Sequence, residues 1–275
     1  MKLKLNELRT EGENTRSIMA FVKVPSTKYK IYIPSKGRAK NCKTADILEQ
    51  EGAAYQIVVE PQDYENYLKF YSKDKVMKID KNDMGVGYVR QFIKDYATEN
   101  KEDYFWMLDD DLKFRKRQDD KSIAYSAVEL FSEAEEYIDK FENIGTAGLT
   151  NNVWAWVKKT DYVYNGMCVT CTIISTKTKA RFRTKTVEDA DFCLQVLTEG
   201  YCTVQFNRLN FIQSTPGTSE GGCFGDTHYN HLTTYMKNFI KEWGDSFSIK
   251  ETKDGPRLKP SKIWKTFKQK LIKKQ

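Results

Sequence analysis

The sequence predicts an α/β fold built on a mixed, mainly parallel sheet with helices on both faces. Between residues 30 and 112, apolar runs typical of strands alternate with segments typical of helices, in the order β-α-β-α-β-α-β. This alternation predicts parallel strands joined by right-handed helical crossovers. The run YFWML at 104–108 has no polar alternation, which is typical of a strand buried on both faces in mid-sheet.

Each half of the chain contributes its own set of predicted elements. In the first half we expect strands at 30–34, 55–61, 76–79 and 104–112, and helices at 44–50, 63–71 and 85–98. In the second half we expect an acidic amphipathic helix at 123–142, strands at 145–149, 162–175 and 201–212, and a last helix at 229–243. A further helix is predicted to begin with Thr186 as its N-cap and to end at Gly200.

Composition indicates a soluble protein with either one large domain or one domain and an appendage. The 275 residues are 40% hydrophobic and 30% charged, and no apolar run approaches the roughly 18 residues of a membrane span. Residues 1–16 are polar and do not resemble a secretory signal, so we expect a cytoplasmic protein with six free cysteines. We divide the chain into a lead-in at 1–29, a domain at 30–245 and a basic C-terminal extension at 246–275.

The positive charge of the chain is concentrated near its end. The net charge is +7, and residues 256–275 contain eight Lys or Arg and no acidic residue. A basic segment of this kind suits a polyanion such as nucleic acid, or it increases solubility without binding anything. Ile263, Trp264, Phe267 and Leu271 have helical spacing among the lysines, so we expect one helical face to dock on the body.

Three adjacent carboxylates, Asp109, Asp110 and Asp111, follow the central strand directly. Ligands of open α/β sheets bind at the carboxyl ends of the strands, where these side chains would lie. Because unpaired carboxylates this close repel each other, the sequence predicts a divalent cation there, Mn²⁺ or Mg²⁺, which prefer oxygen ligands. The alternative is a solvated acidic turn.

Further polar groups are predicted near this edge of the sheet. Lys36 and Arg38 follow the first strand, Glu60 ends the second, and Arg90 lies in the first turns of a helix that a glycine pair opens. The acidic sequence at 187–191 begins a later helix, and the glycine-rich segment 214–227 leads to His228. Each has a simpler interpretation: an ordinary βα loop, a surface arginine, acids that complement a helix dipole, and a structural histidine.

Taken together, these motifs resemble those of GT-A-fold glycosyltransferases of the family-2-like inverting branch, whose fold is Rossmann-like. The sequences IPSKGRA at 33–39 and LDDD at 108–111 more narrowly resemble the phage-encoded TET-associated glycosyltransferases. The resemblance covers roughly residues 30–243. It implies metal-dependent transfer of a sugar from a nucleotide-diphosphate sugar to a hydroxyl acceptor, 5-hydroxymethylpyrimidine in DNA, within the host cytoplasm.

The resemblance also implies roles for individual residues. The donor nucleotide and its phosphates would contact Pro34, Ser35, Lys36, Arg38, Glu60, Arg90, Asp109 and Asp110. The metal ligands would be Asp109, Asp111 and His228. An inverting transfer needs a carboxylate that accepts the proton of the acceptor hydroxyl, and Asp189 is the candidate base with Glu188 as the runner-up. In a retaining enzyme Asp189 would not be a base of this kind.

The acceptor side is predicted from fewer residues. A base in duplex DNA must be flipped out or single-stranded to reach a deep cleft. The basic tail, Trp154, Trp156 and the pair Lys158 and Lys159 would hold the backbone and stack on bases, unless the tryptophans belong to the core.

Several other functions remain compatible with parts of the sequence. A glycosyltransferase with a surface-glycan acceptor would place the basic tail on an anionic membrane. A sugar-nucleotidyltransferase usually has a glycine-rich loop after the first strand, where this chain has PSKG at 34–37. A nuclease would leave the acidic helix start unexplained, and a non-catalytic nucleic-acid binder would leave the three carboxylates unexplained. The sequence names no sugar, donor nucleotide or oligomeric state.

Overall fold

The computed structural model describes most of the chain. The described residues are 3–4, 22–23, 26–157, 160–183, 187–214, 221–222, 226–244, 247–252, 255–259 and 262–275, with the side chains of 3–4, 22–23 and 226–231 left out. The helices are α1 (Lys43–Gln50), α2 (Tyr64–Tyr67), α3 (Val86–Glu99), α4 (Ala127–Ile138), α5 (Glu188–Thr198) and α6 (Asp226–Trp243). Short 3₁₀ helices lie at Lys73–Lys75 and Lys262–Thr266.

The described strands belong to one large sheet and two small two-stranded ones. The two-stranded sheets pair β1 (Leu3–Lys4) with β2 (Val22–Lys23) and β13 (Ile249–Thr252) with β14 (Gly255–Leu258). The strands of the large sheet are β3 (Lys30–Pro34), β4 (Gln56–Val59), β5 (Val76–Lys78), β6 (Tyr104–Leu108), β7 (Leu112–Gln118), β8 (Lys121–Ala124), β9 (Ile144–Asn151), β10 (Tyr162–Tyr164), β11 (Cys171–Ser175) and β12 (Cys202–Gln213).

The large sheet is mixed, as predicted. Its order is β5-β4-β3-β6-β11-β9-β12-β7-β8, and β10 pairs with β12 beside this path. The neighbours from β5 to β6 are parallel, as the alternating pattern of the first half predicted. Beyond β6, β12 runs parallel to β9, while the other pairs between described strands are antiparallel. The C-terminal half is therefore less parallel than expected.

The central strand is buried on both faces, as predicted. In β6, the side chains of Tyr104, Trp106 and Leu108 join a core cluster on the face covered by α1 and α4. Phe105 and Met107 point to the other face and join the cluster that α3 and α5 cover. Two helical layers therefore enclose the sheet, and the α/β prediction is confirmed.

The predicted helix at 123–142 is wrong at both ends. A hairpin of β7 and β8 precedes it, so Ile123 lies on a strand, and α4 begins only at Ala127. The side chain of Ser126 caps α4 by accepting a hydrogen bond from the Glu129 amide at 3.2 Å. At the other end Phe141 lies beyond the helix, in an isolated bridge to Lys273.

The predicted strand at 162–175 is two strands. Between β10 and β11 the backbone turns, and Asn165 and Thr170 have positive φ values of 56° and 69°, which a continuous strand does not allow. The helix predicted at 63–71 is also shorter, since α2 has a single turn of helix.

The tail docks on the body, but not as the predicted helix. Ile263, Trp264 and Phe267 pack against the cluster that contains Phe239 of α6, and Leu271 packs against the main core. From 267 to 271 the tail is not helical, and the half-buried Phe267, Gln269 and Leu271 alternate with the exposed Lys268 and Lys270. No described helix has the length and apolar character needed to cross a bilayer.

Candidate active site

The three carboxylates lie at the carboxyl end of β6, where the predicted topology places them. Thr44, at the start of α1, fixes this turn through three hydrogen bonds. Its hydroxyl donates to the Asp109 carbonyl at 2.6 Å and accepts from the Leu112 amide at 3.0 Å. Its amide donates to the Asp110 carbonyl at 3.1 Å. The turn therefore holds the carboxylates in a fixed arrangement between two cationic clusters.

The first cluster, which we call the Arg38 cluster, lies on the side of the first βα loop. Arg38 forms an ion pair with Asp110 and approaches Asp111 at 3.6 Å. Ser35 donates a hydrogen bond to the other oxygen of Asp110, and its hydroxyl lies 2.6 Å from that of Tyr67. Tyr67 also accepts a hydrogen bond from the Arg38 amide at 3.0 Å. Asp110 is thus a fully engaged, buried carboxylate that orients Arg38.

The second cluster, which we call the Arg90 cluster, brings α3, β6 and α5 together. The guanidinium of Arg90, on α3, lies 3.0 Å from Asp109 and 3.2 Å from Glu188, and forms an ion pair with Asp189. Gln213, at the end of β12, donates to the second oxygen of Asp109 at 3.0 Å. The prediction that Arg90 and the start of the acidic helix belong to one site is consistent with this geometry.

Burial shifts the protonation of the Arg90 cluster. It raises the pKa of Asp109 to about 6, although Arg90 opposes the shift. Burial also raises the pKa values of Glu188 and Asp189, again against the effect of Arg90. The side chain of Asp189 is twice as exposed as that of Glu188, at 22% against 11%, so Asp189 is the more accessible carboxylate of the two.

A third group, the Lys36 cluster, lies beside the first loop. Lys36 forms ion pairs with Glu60, at 2.8 Å, and with Asp83. Glu60 also accepts from the Gln62 side chain at 2.7 Å and from the Asp83 amide at 3.0 Å. In this arrangement Glu60 orients Lys36, and Pro34, the last residue of β3, begins the loop that carries Lys36.

One carboxylate oxygen fits a metal ligand. Oδ1 of Asp111 is buried and has no hydrogen-bond partner in the described part of the chain, although a buried carboxylate oxygen normally has one. Burial also raises the pKa of Asp111, so a nearby cation would stabilise its ionised form. Within the described residues no group of three or more Asp, Glu, His or Cys side chains is arranged to hold a metal ion by itself. Phosphate oxygens and water would therefore complete the coordination, as is common for Mg²⁺.

The segment after β12 returns to the first βα loop. The Gly222 amide donates to the Lys36 carbonyl at 2.8 Å, and Gly221 has a φ of +77°. A Cβ atom at Gly221 would lie only 2.7 Å from the Lys36 carbonyl oxygen. Glycine is therefore needed here both for its backbone conformation and for close packing.

Several sequence predictions lie outside the described residues, among them the Lys158 and Lys159 pair and most of the glycine-rich segment 214–227. His228 falls in the first turn of α6, but its side chain is not described. Thr186, the expected N-cap, is not described either, and Val187 precedes α5 with a φ of 54°.

Several partners of the site residues were not predicted from the sequence. Tyr67, Thr44, Gln213 and Asp83 hold the predicted residues in place. Gln213 could have been predicted, because it directly follows the strand predicted at 201–212, at the ligand-binding end of the sheet. The other three have no distinguishing local pattern.

Comparison with known proteins shows which family the chain belongs to. The sequence model of the TET-associated glycosyltransferases matches residues 29–222, about seven-tenths of the chain and all of the site except α6. The chain belongs to the TET-associated glycosyltransferase family. This confirms the resemblance inferred from the motifs, and it confirms the prediction of a glycosyltransferase at the level of the family.

Other comparisons add little. The apo form of the glycosyltransferase GlyE of Streptococcus pneumoniae TIGR4 is similar at a TM-score of 0.33 and 14% identity, over 79% of this chain. This chain spans 44% of the length of that structure's chain. No curated protein matches the sequence significantly.

Proposed function

We propose that this TET-associated glycosyltransferase moves a sugar from a nucleotide-diphosphate sugar to the hydroxyl of a 5-hydroxymethylpyrimidine in DNA, with Mn²⁺ or Mg²⁺ as cofactor. The observation that supports this most is the position of Asp109, Asp110 and Asp111, which lie at the carboxyl end of β6 between the half-buried Arg38 and the buried Arg90. The proposed setting is the cytoplasm of a phage-infected host.

The first βα loop is proposed to bind the donor. Lys36 and Arg38 supply positive charge, and their carboxylate partners hold both side chains in place before the donor arrives. The segment at Gly221 and Gly222 packs over this loop and would help to enclose the diphosphate. Charge placed in advance stabilises a leaving group without reorganisation during the reaction.

Asp111 is the proposed principal metal ligand, and Asp109 and His228 are the further ligands that the family resemblance implies. Oδ1 of Asp111 has no partner among the described residues, whereas the two oxygens of Asp109 accept from Arg90 and Gln213. When bound, a divalent ion would neutralise the charge that develops on the diphosphate as the sugar leaves.

Asp189 is the proposed general base of an inverting transfer. The acceptor oxygen would attack the anomeric carbon and give its proton to the Asp189 carboxylate, while the bond to the diphosphate oxygen breaks. A pKa raised by burial suits a base that operates near neutral pH. Arg90 holds Asp189 close to Asp109, and therefore close to the donor.

Donor binding and turnover test the proposal. We expect nucleotide diphosphates to raise the melting temperature only with Mn²⁺ or Mg²⁺, because ligands that bind the native state stabilise it. Slow hydrolysis of one nucleotide sugar is expected without an acceptor. Cleavage of plain DNA would instead favour a nuclease, and DNA binding with no donor effect would favour a non-catalytic binder.

Asp111→Asn is the variant that tests the metal site. It keeps the shape of the side chain but removes the charge that a cation needs, so we expect the metal-dependent shift to vanish and turnover to fall roughly 100-fold or more. Asp119→Asn is the matched control, because Asp119 lies in the exposed turn between β7 and β8. An unchanged metal dependence in Asp111→Asn would contradict the assignment.

A further inference from the structure

The segment between β9 and β10 exposes two tryptophans. Trp154 and Trp156 are 64% and 43% exposed, and Val153 and Val157 beside them are each 68% exposed. The alternative prediction that these tryptophans belong to the core is therefore wrong. Such a contiguous apolar surface on an otherwise polar protein commonly marks an interaction site. We call residues 152–157 the tryptophan turn.

The tryptophan turn is anchored firmly. Its one buried side chain is that of Ala155, whose carbonyl accepts a hydrogen bond from Arg117 of β7 at 2.6 Å. The Asn152 amide donates to the Phe211 carbonyl at 2.8 Å, and the Asn152 side chain accepts from Ser122 of β8 at 2.6 Å. The turn thus holds its aromatic side chains outward at little further entropic cost, which favours binding.

A line of cations connects this turn with the active site. Lys113, Arg115 and Arg117 alternate along β7, so they share the face opposite α4. β7 begins one residue after Asp111, and Arg115 and Arg117 lie three and five residues beyond Leu112. At the rise of a strand, this places them about 10 and 17 Å from the start of β7. Lys113 is exposed on this path, whereas Arg115 and Arg117 are half-buried, Arg115 bonding to Ser122 and Arg117 pairing with Asp161 at 3.3 Å. Lys113 is therefore the most accessible of the three cations.

We propose that the tryptophan turn is the part of the acceptor site that binds unpaired nucleotides flanking the target base. Exposed aromatic side chains that stack on bases, beside cations that contact the phosphates, are the combination that binds single strands. This inference rests on the proposed DNA acceptor. The spacing along β7 corresponds to about three to five stacked nucleotides at 3.4 Å each.

Binding of an unmodified oligonucleotide tests the inference without catalysis. The probe is a fluorescent single-stranded DNA of about 16 nucleotides, measured by anisotropy. We expect Trp154→Ala to weaken binding about 5- to 150-fold, since alanine substitution at a stacking residue has an effect of this size. Lys113→Gln should reduce the slope of the logarithm of the DNA affinity against the logarithm of the salt concentration by about 1, the value for one lost phosphate contact.

Phe70→Ala is the matched control, because Phe70 is a 49% exposed aromatic residue near β5 at the other end of the sheet. We expect it to bind DNA as the wild type does. Donor hydrolysis should be unchanged in both variants, and glycosylation of a mononucleotide acceptor should not depend on Trp154. These readouts separate loss of acceptor binding from misfolding.

Three outcomes would overturn the inference. In the first, Trp154→Ala and the wild type bind DNA with equal affinity. In the second, the protein binds phosphatidylserine vesicles through Trp154 and does not bind DNA. In the third, Trp154 mediates a dimer that does not bind DNA. If the wild type hydrolyses a donor but does not bind the oligonucleotide, this inference fails while glycosyl transfer stands. If DNA binding depends on Trp154 but no donor is hydrolysed, the proposed function fails and this inference stands.

Discussion

Arg90 is the cation on which three carboxylates of the candidate site depend. Its side chain is 7% exposed and contacts Asp109, Glu188 and Asp189. Removing one partner from a buried ionic cluster leaves uncompensated charge, so we expect Arg90→Ala to lower the free energy of unfolding by about 3–5 kcal/mol. Urea denaturation of the purified protein measures this difference.

A second arginine provides the control for Arg90. Arg181 pairs with Asp95 on the surface, where solvent screens the interaction. We expect Arg181→Ala to change the free energy of unfolding by less than about 1 kcal/mol. If both variants lose equally little stability, the Arg90 cluster does not need its cation, and the geometry described for the site is wrong.

The sequence predicted the charged residues of the candidate site better than it predicted their hydrogen-bond partners. Asp109, Asp110 and Asp111 stood out because three acids directly follow a buried strand. Their partners Thr44 and Tyr67 lie in ordinary helical patterns, and only the folded chain brings them to the turn. Local sequence patterns identify unusual chemistry, but they do not identify the ordinary side chains that hold it.

The close packing of the segment after β12 on the first βα loop is a property of two elements. Gly221→Ala would place a Cβ atom 2.7 Å from the Lys36 carbonyl and 2.8 Å from that of Gly37. Because both obstacles are backbone atoms, the segment must move away from the loop. We expect weaker donor binding, measured as a rise in the KM for the nucleotide sugar.

Gly52→Ala separates packing from backbone strain. Gly52 also has a positive φ, +70°, but a Cβ atom there would meet nothing within 4 Å. We expect a loss of stability of about 1 kcal/mol and an unchanged KM for the donor. An equal rise in KM for both variants would contradict a specific role for the contact between Gly221 and the first loop.

Strands and helices with strong local patterns were predicted well, whereas the hairpin of β7 and β8 was not predicted. β6 and α3 were found because an uninterrupted apolar run and a helical period are strong signals. β7 has the sequence LKFRKRQ, in which only two apolar residues mark the strand, so it was overlooked. Ile123 and Phe141 happened to continue the spacing of α4, which extended the predicted helix beyond both of its ends.

The two ends of the central strands have different roles in the whole molecule. Lys270 and Ile272 of the tail bond to Asn143, just before β9, and β9 begins beside the start of β6. The carboxylates lie at the other end of β6, about 17 Å away along the strand. The end of the tail therefore lies away from the candidate site, and the tryptophan turn lies nearer to it.

This arrangement predicts a structural role for the end of the tail. Leu271 packs on the main core, so we expect Leu271→Ala to lower the free energy of unfolding by about 1–2 kcal/mol, less than for a fully buried leucine. Its neighbour Ile272 is 52% exposed, and Ile272→Ala should change stability by less than about 0.5 kcal/mol. Urea denaturation compares the two, and equal losses would contradict the docking described here.

The intact mass of a DNA acceptor tests the central claim most directly. An oligonucleotide with one 5-hydroxymethylpyrimidine is incubated with the enzyme, Mn²⁺ and the donor that raises the melting temperature. Its intact mass is then measured by mass spectrometry. The account predicts a gain of one sugar residue with the wild type, none with Asp111→Asn, and none on DNA without the hydroxymethyl group. Release of nucleoside diphosphate with no gain in DNA mass would contradict a DNA acceptor.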